Sequence, residues 1–404
     1  MDQQDAATGP LAGVRVIDLT TVVLGPLATQ TLGDMGADVV KIETPGGDST
    51  RFIGPSRTTG MGSYFAALNR NKRSVVLDLK RPAARAALLR LIDGADVLVH
   101  NMRLGAAERL GLDAASLTAR NPRLIHACAT GFRPASRLRE APAFDDLIQG
   151  ISGAASLNAG PDGAPRYWPT VAADKITGQM LASMIGMALY HRERTGRGQA
   201  VHVPMMETML GFLLVEHLWG ATLGEPERGL GYPRMLTPHR RPYATKDGHI
   251  CVICHSDAQF ARLFAAIGRP HLNADPRFGS VTARAQHIDA VYATLTDALV
   301  EKSTGEWLAI LAPLDIPCGA AAGLGDLLES EYLRDTGFFE QHLHPVEGEV
   351  TVTAIPAAFS TSPPSIRRLW PTLGQHTDEV LREIGCDEAE IAEIKAVRLN
   401  CPST

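Results

Sequence analysis

The sequence predicts an α/β fold with a large parallel-sheet domain and a smaller α+β domain. Short apolar runs rich in β-branched residues alternate with helical patterns between residues 11 and 131. A long, mostly helical region follows, and the strand pattern starts again near residue 242. Strands that alternate with helices in this way indicate βαβ units and a largely parallel sheet.

The first part of the chain has the clearest alternation. LAGVRVIDL is a buried-strand pattern, Gly25-Pro26 interrupts it, PLATQTLGDMG is a helical pattern that ends at Gly36, and ADVVKIE is the next strand. The pattern repeats in the strand SVVLDL, the helix PAARAALLRLIDG and the strands ADVLVHN and RLIHACATG. This order predicts a Rossmann-like sheet.

Residues 144–220 are predicted to be mostly helical, in the segments FDDLIQGISGAAS, ITGQMLASMIGMALYHRER and VPMMETMLGFLLVEHLWG. Beyond a basic, loop-like stretch come the strand pattern YATKDGHICVIC, the helix DAQFARLFAAIGR and the helical run HIDAVYATLTDALVEKSTGEWLAILAPL. The chain then shows a strand-turn-strand pattern around VEGEVTVTA, a last helix in HTDEVLREIG, and VRLNCPST, which is predicted to be a frayed end.

These patterns predict four segments along the chain. We expect the amino-terminal part of the large α/β domain in residues 1–220, a linker in 221–241 and the small domain in 242–325. Residues 326–404 contain nothing that is self-contained, so they are predicted to return to the large domain.

Composition and charge exclude several classes of protein. The 404 residues are 45% hydrophobic and 21% charged, which is ordinary for a globular protein, and the net charge of −5 provides no basic field for nucleic acid. The first ten residues are polar, and no apolar run reaches the length that a membrane helix needs. We therefore expect a cytoplasmic protein that binds neither nucleic acid nor membrane.

The cysteines and the known catalytic motifs are also informative. Six scattered cysteines predict no disulfide framework. Cys251 and Cys254 form a CxxC on a strand pattern, and no second ligand pair follows at zinc spacing, so a structural role is favoured over a redox or metal site. No phosphate-binding glycine motif follows the first strand, which disfavours a nicotinamide enzyme, and neither GxSxG nor HExxH occurs.

Seven blocks of the chain together resemble the family III CoA-transferases. They include LAGVRVIDLTTVVLGPLATQTLGDMGADVVKIETPGGDSTR, LNRNKRSVVLDLK, ADVLVHNMRLGAAERLG, FDDLIQGISGAAS, AADKITG, RTGRGQAVHVPMMETML and PTLGQHTDEVLREIG. The resemblance extends from Leu11 to Gly385. It implies an interlocked homodimer that moves CoA from an acyl-CoA donor to a carboxylic acid acceptor, with CoA as a substrate, no permanently bound cofactor and no metal.

Asp174, in the block AADKITG, has two interpretations. Read from the residues alone, it is a helix N-cap, with Thr177 three residues further on. The resemblance instead places the family's nucleophilic aspartate here, which would form an acyl anhydride and then an aspartyl-CoA thioester. Both roles are compatible, because a helix N-terminus holds a carboxylate and its dipole favours the ionised form.

The resemblance also implies a set of residues that contact CoA. They are Val22, Val23, Leu24, Leu77, Lys80, Asn101, Met102, Arg109 and Asp145. Lys80 and Arg109 suit CoA phosphates, whereas Asp145 is either an acidic neighbour of the nucleophile or another N-cap.

Three positions depart from the family pattern. Some members have a glutamine at the position of Val23, and the family has an arginine on the adenine side at the position of Thr44. The glycine-rich loop expected after HICVIC is replaced by residues 255–258, which contain no glycine, so the sequence does not predict a lid role for this loop.

Two other functions remain open. An α-methylacyl-CoA racemase has a related fold, but it needs a histidine base where this chain has Phe144, and His100 and His126 are predicted to be structural. A non-catalytic acyl-CoA binding protein is the second alternative. The sequence does not predict which donor and acceptor acids are used. The basic residues of the loop would suit an anionic acyl group, or they face solvent or phosphate; they are Arg234, His239, Arg240 and Arg241.

Overall fold

The fold is that of a computed structural model of the chain, which describes residues 8–396. Residues 1–7 and the predicted frayed end at residues 397–404, with Cys401, lie outside the described residues. Within that range the chain divides into two compact units. One contains residues 8–158, 165–212 and 337–396, and the other contains residues 159–164 and 213–336. The domain boundaries predicted from the sequence stay a prediction.

A six-stranded parallel sheet organises the first unit. Its strands are β1 (Arg15–Leu19), β2 (Asp38–Glu43), β3 (Lys72–Val76), β4 (Val97–His100), β5 (Ile125–Thr130) and β6 (Ala200–Pro204). The spatial order is β3-β2-β1-β4-β5-β6, and every neighbouring pair is parallel. The predicted α/β class and parallel sheet are therefore confirmed. The expectation of helix across 201–204 is wrong, because β6 pairs with β5 there.

Helices connect and flank these strands. In the first unit they are α1 (Leu24–Asp34), α2 (Ser63–Ala66), α3 (Pro82–Asp93), α4 (Leu104–Arg109), α5 (Ala114–Arg120), α6 (Asp145–Ile151), α7 (Ala154–Leu157), α8 (Ala172–Thr195) and α9 (Met205–His217), whose last residues belong to the second unit. A 3₁₀ turn covers Ser49–Phe52. Most of these helices lie where the sequence pattern predicts them.

The second unit combines short helices with a small antiparallel sheet. The sheet contains β7 (Tyr243–Ala244), β8 (His249–Val252) and β9 (Cys318–Ala320). The helices are α10 (Pro233–Leu236), α11 (Asp257–Ala266), α12 (Val281–Gln286), α13 (Ile288–Leu299), α14 (Thr304–Leu311), α15 (Leu324–Leu328) and α16 (Glu331–Asp335), with 3₁₀ turns at Trp219–Leu223, Pro226–Arg228, Pro270–Ala274 and Ala312–Leu314. The predicted long helical run is two helices, since Ser303 forms a capping box that starts α14.

The chain returns to the first unit after residue 336. Strands β10 (Phe339–His344) and β11 (Gly348–Thr353) form the predicted strand-turn-strand as an antiparallel hairpin, and helices α17 (Thr377–Glu383) and α18 (Glu388–Lys395) follow. Val380 and Leu381 of α17 are buried in the same apolar core as Ile17 of β1, Leu88 of α3 and Leu98 of β4. The carboxyl-terminal residues thus complete the core of the first unit.

The two cysteines of the CxxC differ in position and exposure. Cys251 is an exposed residue of β8, Cys254 is buried, and both thiols are free. Within residues 255–258, Ser256 is the N-cap of α11 and forms a capping box with Gln259. No helix of residues 8–396 is long and apolar enough to cross a membrane.

Candidate active site

A cavity of about 210 Å³ lies in the first unit, where the strand order reverses between β1 and β4. Ligands of open parallel sheets bind in the crevice at such a switch point, outside the carboxyl ends of the strands. The turns after these two strands both contribute to its wall. The lining residues are Thr21, Val22, Val23, Leu24, Asn101, Arg103, Ala129, Thr130, Gly131, Arg139, Ala141, Pro142, Ala143, Phe144, Asp174 and Met205.

Asp174 lies in this cavity, in the first turn of α8. The prediction that Asp174 is the N-cap is wrong, because α8 begins at Ala172 and its N-cap is Val171, which makes no side-chain capping bond. Thr177 accordingly lies deeper in the helix. The Asp174 carboxylate therefore faces the cavity without serving as a cap.

The pKa of Asp174 is raised from 3.8 to about 7, first by burial and then by the charge of Asp145. A helix N-terminus would favour the ionised carboxylate, but that effect is typically only about 0.3–1 kcal/mol. A shift of one pKa unit corresponds to about 1.4 kcal/mol, so burial and the second carboxylate outweigh the dipole. Asp174 is thus a partly desolvated carboxylate that ionises near neutral pH.

Asp145 positions the start of α8. Its carboxylate accepts a hydrogen bond from the backbone N–H of Asp174, with an N···O distance of 2.9 Å. Asp145 is the first residue of α6, whose N-cap is Phe144, so the N-cap interpretation of Asp145 on its own helix is wrong. Instead it satisfies a free N–H of the neighbouring helix α8.

Gln149 holds Asp145 in this position. The Gln149 side-chain amide donates to the other Asp145 oxygen and, at 3.1 Å, to the carbonyl of Thr170. Its oxygen accepts the backbone N–H of Trp168 at 2.8 Å. Buried Gln149 therefore joins α6 to the segment that leads into α8.

The turn after β1 is strained and tightly held. Val22 has a φ of 70°, a left-handed conformation that a β-branched residue rarely adopts. Its backbone N–H donates to the Asp48 carboxylate at 3.2 Å. Asn101 accepts the N–H of Thr21 at 3.1 Å and donates to the Thr21 carbonyl at 2.9 Å. Such strain is typical of functional sites, and here it directs the turn into the cavity.

Buried ion pairs also hold the turn after β1. Lys41 donates to the Thr20 carbonyl at 2.8 Å and pairs with Asp48 at 3.1 Å, while Lys72 pairs with Asp18 at 3.1 Å. Burial alone would raise the pKa of Asp18, but Lys72, Lys41 and two threonine hydroxyls outweigh it and hold that pKa at about 2. Burial lowers the pKa of Lys72 to about 8, although Asp18 opposes this effect.

Two helices present their amino-terminal ends to the cavity, α1 through Leu24 and α8 through Asp174. The first N–H groups of a helix lack intrahelical partners, so such ends stabilise negative charge. The two helices approach closely because α8 has a glycine at the contact: a Cβ on Gly178 would lie 2.5 Å from the Leu24 carbonyl oxygen. This arrangement suits a reaction in which charge develops on a carbonyl oxygen.

The structure brings some of the residues predicted from the resemblance together and leaves others apart. Asp174, Val22, Val23, Leu24 and Asn101 line the cavity. The remaining predicted residues do not line it. Leu77 is buried in the apolar core and Met102 packs against that core, whereas Lys80 and Arg109 are exposed. Asp145 contacts the backbone N–H of Asp174 and does not reach the cavity wall.

Sequence reasoning missed three residues of this site. Arg103 and Arg139 line the cavity, and no local sequence motif marks either of them as a site residue. The pKa of Tyr64 is raised by burial and then by the charges of Asp174 and Asp145, which places its phenol in the field of both carboxylates. Phe144 occupies the position where a racemase needs its histidine base, and this residue is 71% exposed and lines the cavity.

The four basic residues that suggested an anionic acyl group belong to the second unit. Arg234 donates to the Tyr292 hydroxyl at 3.0 Å. Arg240 and Arg241 border a separate cavity within that unit.

Replacing Asp145 with asparagine should shift the pH dependence of the reaction. The asparagine oxygen can still accept the Asp174 N–H, but the negative charge that raises the Asp174 pKa is gone. The acid limb of kcat/KM, expected near pH 7 in the wild type, should therefore move to lower pH. The value of kcat should fall as well. The Gln149 side-chain NH2 donates to the second Asp145 oxygen, and in the variant it would face the NH2 of the asparagine, which is another donor.

The matched control is Asp146→Asn, which removes an exposed carboxylate from the same helical turn. Its acid limb should coincide with that of the wild type. An Asp145→Asn profile with an unmoved acid limb would show that Asp145 does not set the ionisation of Asp174.

Comparison with known proteins identifies the family. The family model described as CoA-transferase family III matches residues 11–377. An acetyl-CoA:oxalate CoA-transferase of Acetobacter aceti is 38% identical over 334 residues, which cover 81% of this chain and 84% of that protein. A formyl-CoA:oxalate CoA-transferase of Bradyrhizobium sp. (strain ORS 278) is 32% identical, with 96% of both chains covered, and a succinate–glutarate CoA-transferase of Agrobacterium fabrum is 32% identical over 93% of this chain and 96% of its own.

Solved structures of similar proteins have the same fold as this chain. A CAIB/BAIF family protein from Brucella suis superposes with a TM-score of 0.79 at 31% identity and covers 93% of this chain and 100% of its own. A Mycobacterium tuberculosis protein superposes with a TM-score of 0.80 at 30% identity and covers 92% of this chain and 99% of its own.

Proposed function

Because this chain belongs to CoA-transferase family III, and is thus an enzyme of the EC 2.8.3 type, we propose that Asp174 is the nucleophile that carries the transfer. The observation that supports this proposal best is the position of Asp174: a partly desolvated carboxylate in a cavity at the switch point of the sheet. Desolvation and a fixed position make an ordinarily weak carboxylate nucleophile competent.

The proposed reaction has four balanced steps. An Asp174 oxygen attacks the thioester carbonyl, the C–S bond breaks, and CoA leaves as a thiolate, which produces a mixed anhydride. The thiolate attacks the Asp174 carbonyl, the donor acid leaves as a carboxylate, and an aspartyl-CoA thioester remains. The acceptor carboxylate attacks that thioester and displaces the thiolate, which finally attacks the acceptor's carbonyl and restores the Asp174 carboxylate. No net proton is consumed.

The residues around Asp174 supply what these steps need. Each attack places negative charge on a carbonyl oxygen, and the positive ends of the α1 and α8 dipoles lie at the cavity through Leu24 and Asp174. Asp145 and Gln149 hold the backbone of Asp174, while Asn101 and Asp48 hold the turn at Val22. Racemisation would require a base where Phe144 stands, so transfer is the function that the site supports best.

We further propose that at least one of the two acids is a dicarboxylate. Arg139 pairs with Glu108 at 2.8 Å and with Glu140 at 3.2 Å, whereas Arg103 is exposed and has no ion pair within residues 8–396. A guanidinium at the cavity wall can bind the second carboxylate of a substrate in a bidentate manner. The relatives named for oxalate, succinate and glutarate act on acids of this kind.

Turnover of acyl-CoA with and without an added acid tests the function. Acetyl-CoA and succinyl-CoA as donors, each with mono- and dicarboxylate acceptors, should yield a new acyl-CoA only when an acceptor is present. Solvent deuterium entering the α-carbon without any acceptor would favour the racemase instead. Binding of acyl-CoA with no turnover under any condition would favour the non-catalytic alternative.

Replacing Arg103 with methionine should reduce kcat/KM for the preferred dicarboxylate by about 10- to 150-fold, the equivalent of a charged hydrogen bond of about 1.5–3 kcal/mol. A monocarboxylate of the same length should react as it does with wild type. Arg133→Met is the control, because Arg133 is also exposed and does not line the cavity. Equal losses for both acids would contradict a role of Arg103 in acid selection.

Lys80 and Arg109 remain the proposed contacts for CoA phosphates, on the family resemblance. Arg109→Ala should raise KM for acyl-CoA by about 10- to 150-fold, for the loss of one charged contact, with a smaller effect on kcat. Arg120→Ala is the matched control, since Arg120 is also exposed in the last turn of a short helix. An unchanged KM in Arg109→Ala would remove this residue from the site.

The cytoplasmic location and the interlocked homodimer also belong to this proposal. Both rest on the sequence and the family resemblance. A monomeric mass in solution at micromolar concentration would contradict the homodimer.

A further inference from the structure

A row of histidine and cysteine side chains crosses one face of the sheet. His100 of β4 is in register with Cys128 of β5, and Cys128 is in register with His202 of β6. His126 precedes Cys128 by two residues, and residues two apart on a strand project to the same face. All four side chains therefore lie on the same face, although they are far apart in sequence.

Neither ring nitrogen of His100 has a hydrogen-bond partner in the part of the chain that the structure describes. Its side chain is completely buried, with 0% exposed, and within residues 8–396 neither Nδ1 nor Nε2 makes a hydrogen bond. Buried polar atoms in folded proteins are nearly always paired, so such a group needs an explanation, such as a bound ion or water. The nearest ring is that of His126, with the two centroids 5.1 Å apart.

The neighbours of His100 are ordered as metal ligands are. His126 Nε2 lies 2.9 Å from the carbonyl oxygen of Leu112, a contact that assigns the proton to Nε2 and leaves the lone pair on Nδ1. A hydrogen bond from the second ring nitrogen to a carbonyl is the usual support of a metal-binding histidine. Cys128 is buried, and its thiol is free. One ligand atom from each of His100, His126 and Cys128 lies within 4.8 Å of the other two.

We propose that His100, His126 and Cys128 bind one Zn²⁺ ion. Two imidazole nitrogens and a thiolate suit a borderline-soft cation and do not suit Mg²⁺ or Ca²⁺, which prefer oxygen ligands. On binding, the Cys128 S–H bond breaks, the sulfur coordinates the metal, and the proton passes to solvent. His202, hydrogen-bonded to the Thr130 hydroxyl at 2.8 Å, stays outside this set of three.

The role of this ion is structural and separate from the transfer chemistry. His100 is the last residue of β4, directly before Asn101, and Cys128 is followed by Ala129 and Thr130. Those three following residues line the cavity of Asp174. An ion bound by His100 and Cys128 would thus join two strand ends that form the cavity wall.

Metal binding to the untagged full chain tests this proposal. After treatment with a chelator, the protein should take up one equivalent of Zn²⁺ and keep it through desalting. With Co²⁺ as the probe, a thiolate-to-cobalt charge-transfer band should appear in the near ultraviolet. Zn²⁺ should also raise the Tm, because an ion that binds only the folded chain stabilises it.

Two cysteine variants locate the site. Cys128→Ala should lose the cobalt band and bind Zn²⁺ more than roughly 100-fold more weakly, since even the loss of an outer-shell partner costs about 10- to 100-fold. Cys254→Ala is the matched control, because Cys128 and Cys254 are both 5% exposed, and it should behave as wild type does. This control also excludes the CxxC pair as the source of the band.

His100→Gln should likewise abolish the cobalt band, and it provides a second test if Cys128→Ala does not fold. Wild type that retains no Zn²⁺ and shows no cobalt–thiolate band would overturn the proposal and leave a buried water as the partner of His100. A band that persists in Cys128→Ala or His100→Gln would overturn it as well. These metal readouts are independent of CoA transfer, so they stand or fall separately from the role of Asp174.

Discussion

Replacing Asp174 with asparagine should abolish CoA transfer while the chain still folds and binds acyl-CoA. Asparagine nearly preserves the shape of the side chain, and the backbone N–H at this position can still donate to Asp145. An amide cannot form the acyl anhydride, so the rate should fall by roughly 10⁴-fold or more, as it does for other essential catalytic groups.

The same variant should be more stable than wild type at alkaline pH. The pKa of Asp174 is raised in the folded chain, from 3.8 to about 7, so the unfolded chain ionises this group first. The folded wild type therefore loses stability as the pH rises from about 4 to about 7, and it stays less stable above that range. The asparagine side chain of the variant does not ionise, so chemical denaturation at pH 5 and pH 8 should show a smaller decrease for Asp174→Asn than for wild type.

A covalent label identifies the nucleophile directly. Incubation of wild type with acyl-CoA, followed by hydroxylamine or borohydride, should change the mass of the peptide that contains Asp174 and of no other peptide. Substantial transfer by Asp174→Asn, or a label found only on a different carboxylate, would contradict the proposed mechanism.

Gly178→Ala should impair both folding stability and catalysis. The added methyl group would lie 2.5 Å from the carbonyl oxygen of Leu24, a backbone atom that cannot rotate away. Overpacking of this kind typically costs about 1–3 kcal/mol. Relief of the clash has to move α8 away from α1, and Asp174 lies one turn from Gly178. A displacement of about 1 Å at a reacting group can reduce the rate by roughly 100-fold.

Gly186→Ala provides the control on the same helix. A Cβ at Gly186 would meet nothing within 4 Å. Alanine is favoured over glycine in a helix by about 0.5–1 kcal/mol, so this variant should be slightly more stable than wild type and equally active. Equal stability and activity of the two variants would show that the α1–α8 approach does not position the nucleophile.

Much of the fold could be predicted because its signals are local. The strands β1, β2, β4 and β5 contain short apolar runs between turn residues, and α1, α3 and α8 follow helical periodicity or composition over more than ten residues. Strand β3 begins two residues before the predicted strand SVVLDL and ends three residues before its last residue. Strand β6 was missed because its pattern, AVHVP, directly precedes the apolar helix α9, which made the whole stretch look helical.

The sequence by itself determined the α/β class, the family and the position of Asp174 at the beginning of a helix, since each depends on residues that are close together or on blocks in a characteristic order. Only the tertiary structure decided what surrounds that carboxylate. Asp145 supports Asp174 across 29 positions and Asn101 holds Thr21 across 80, so no local pattern reveals either contact. The structure likewise decided that Arg103 reaches the cavity and that His100 lies beside His126 and Cys128, because parallel strands align residues that the chain keeps far apart.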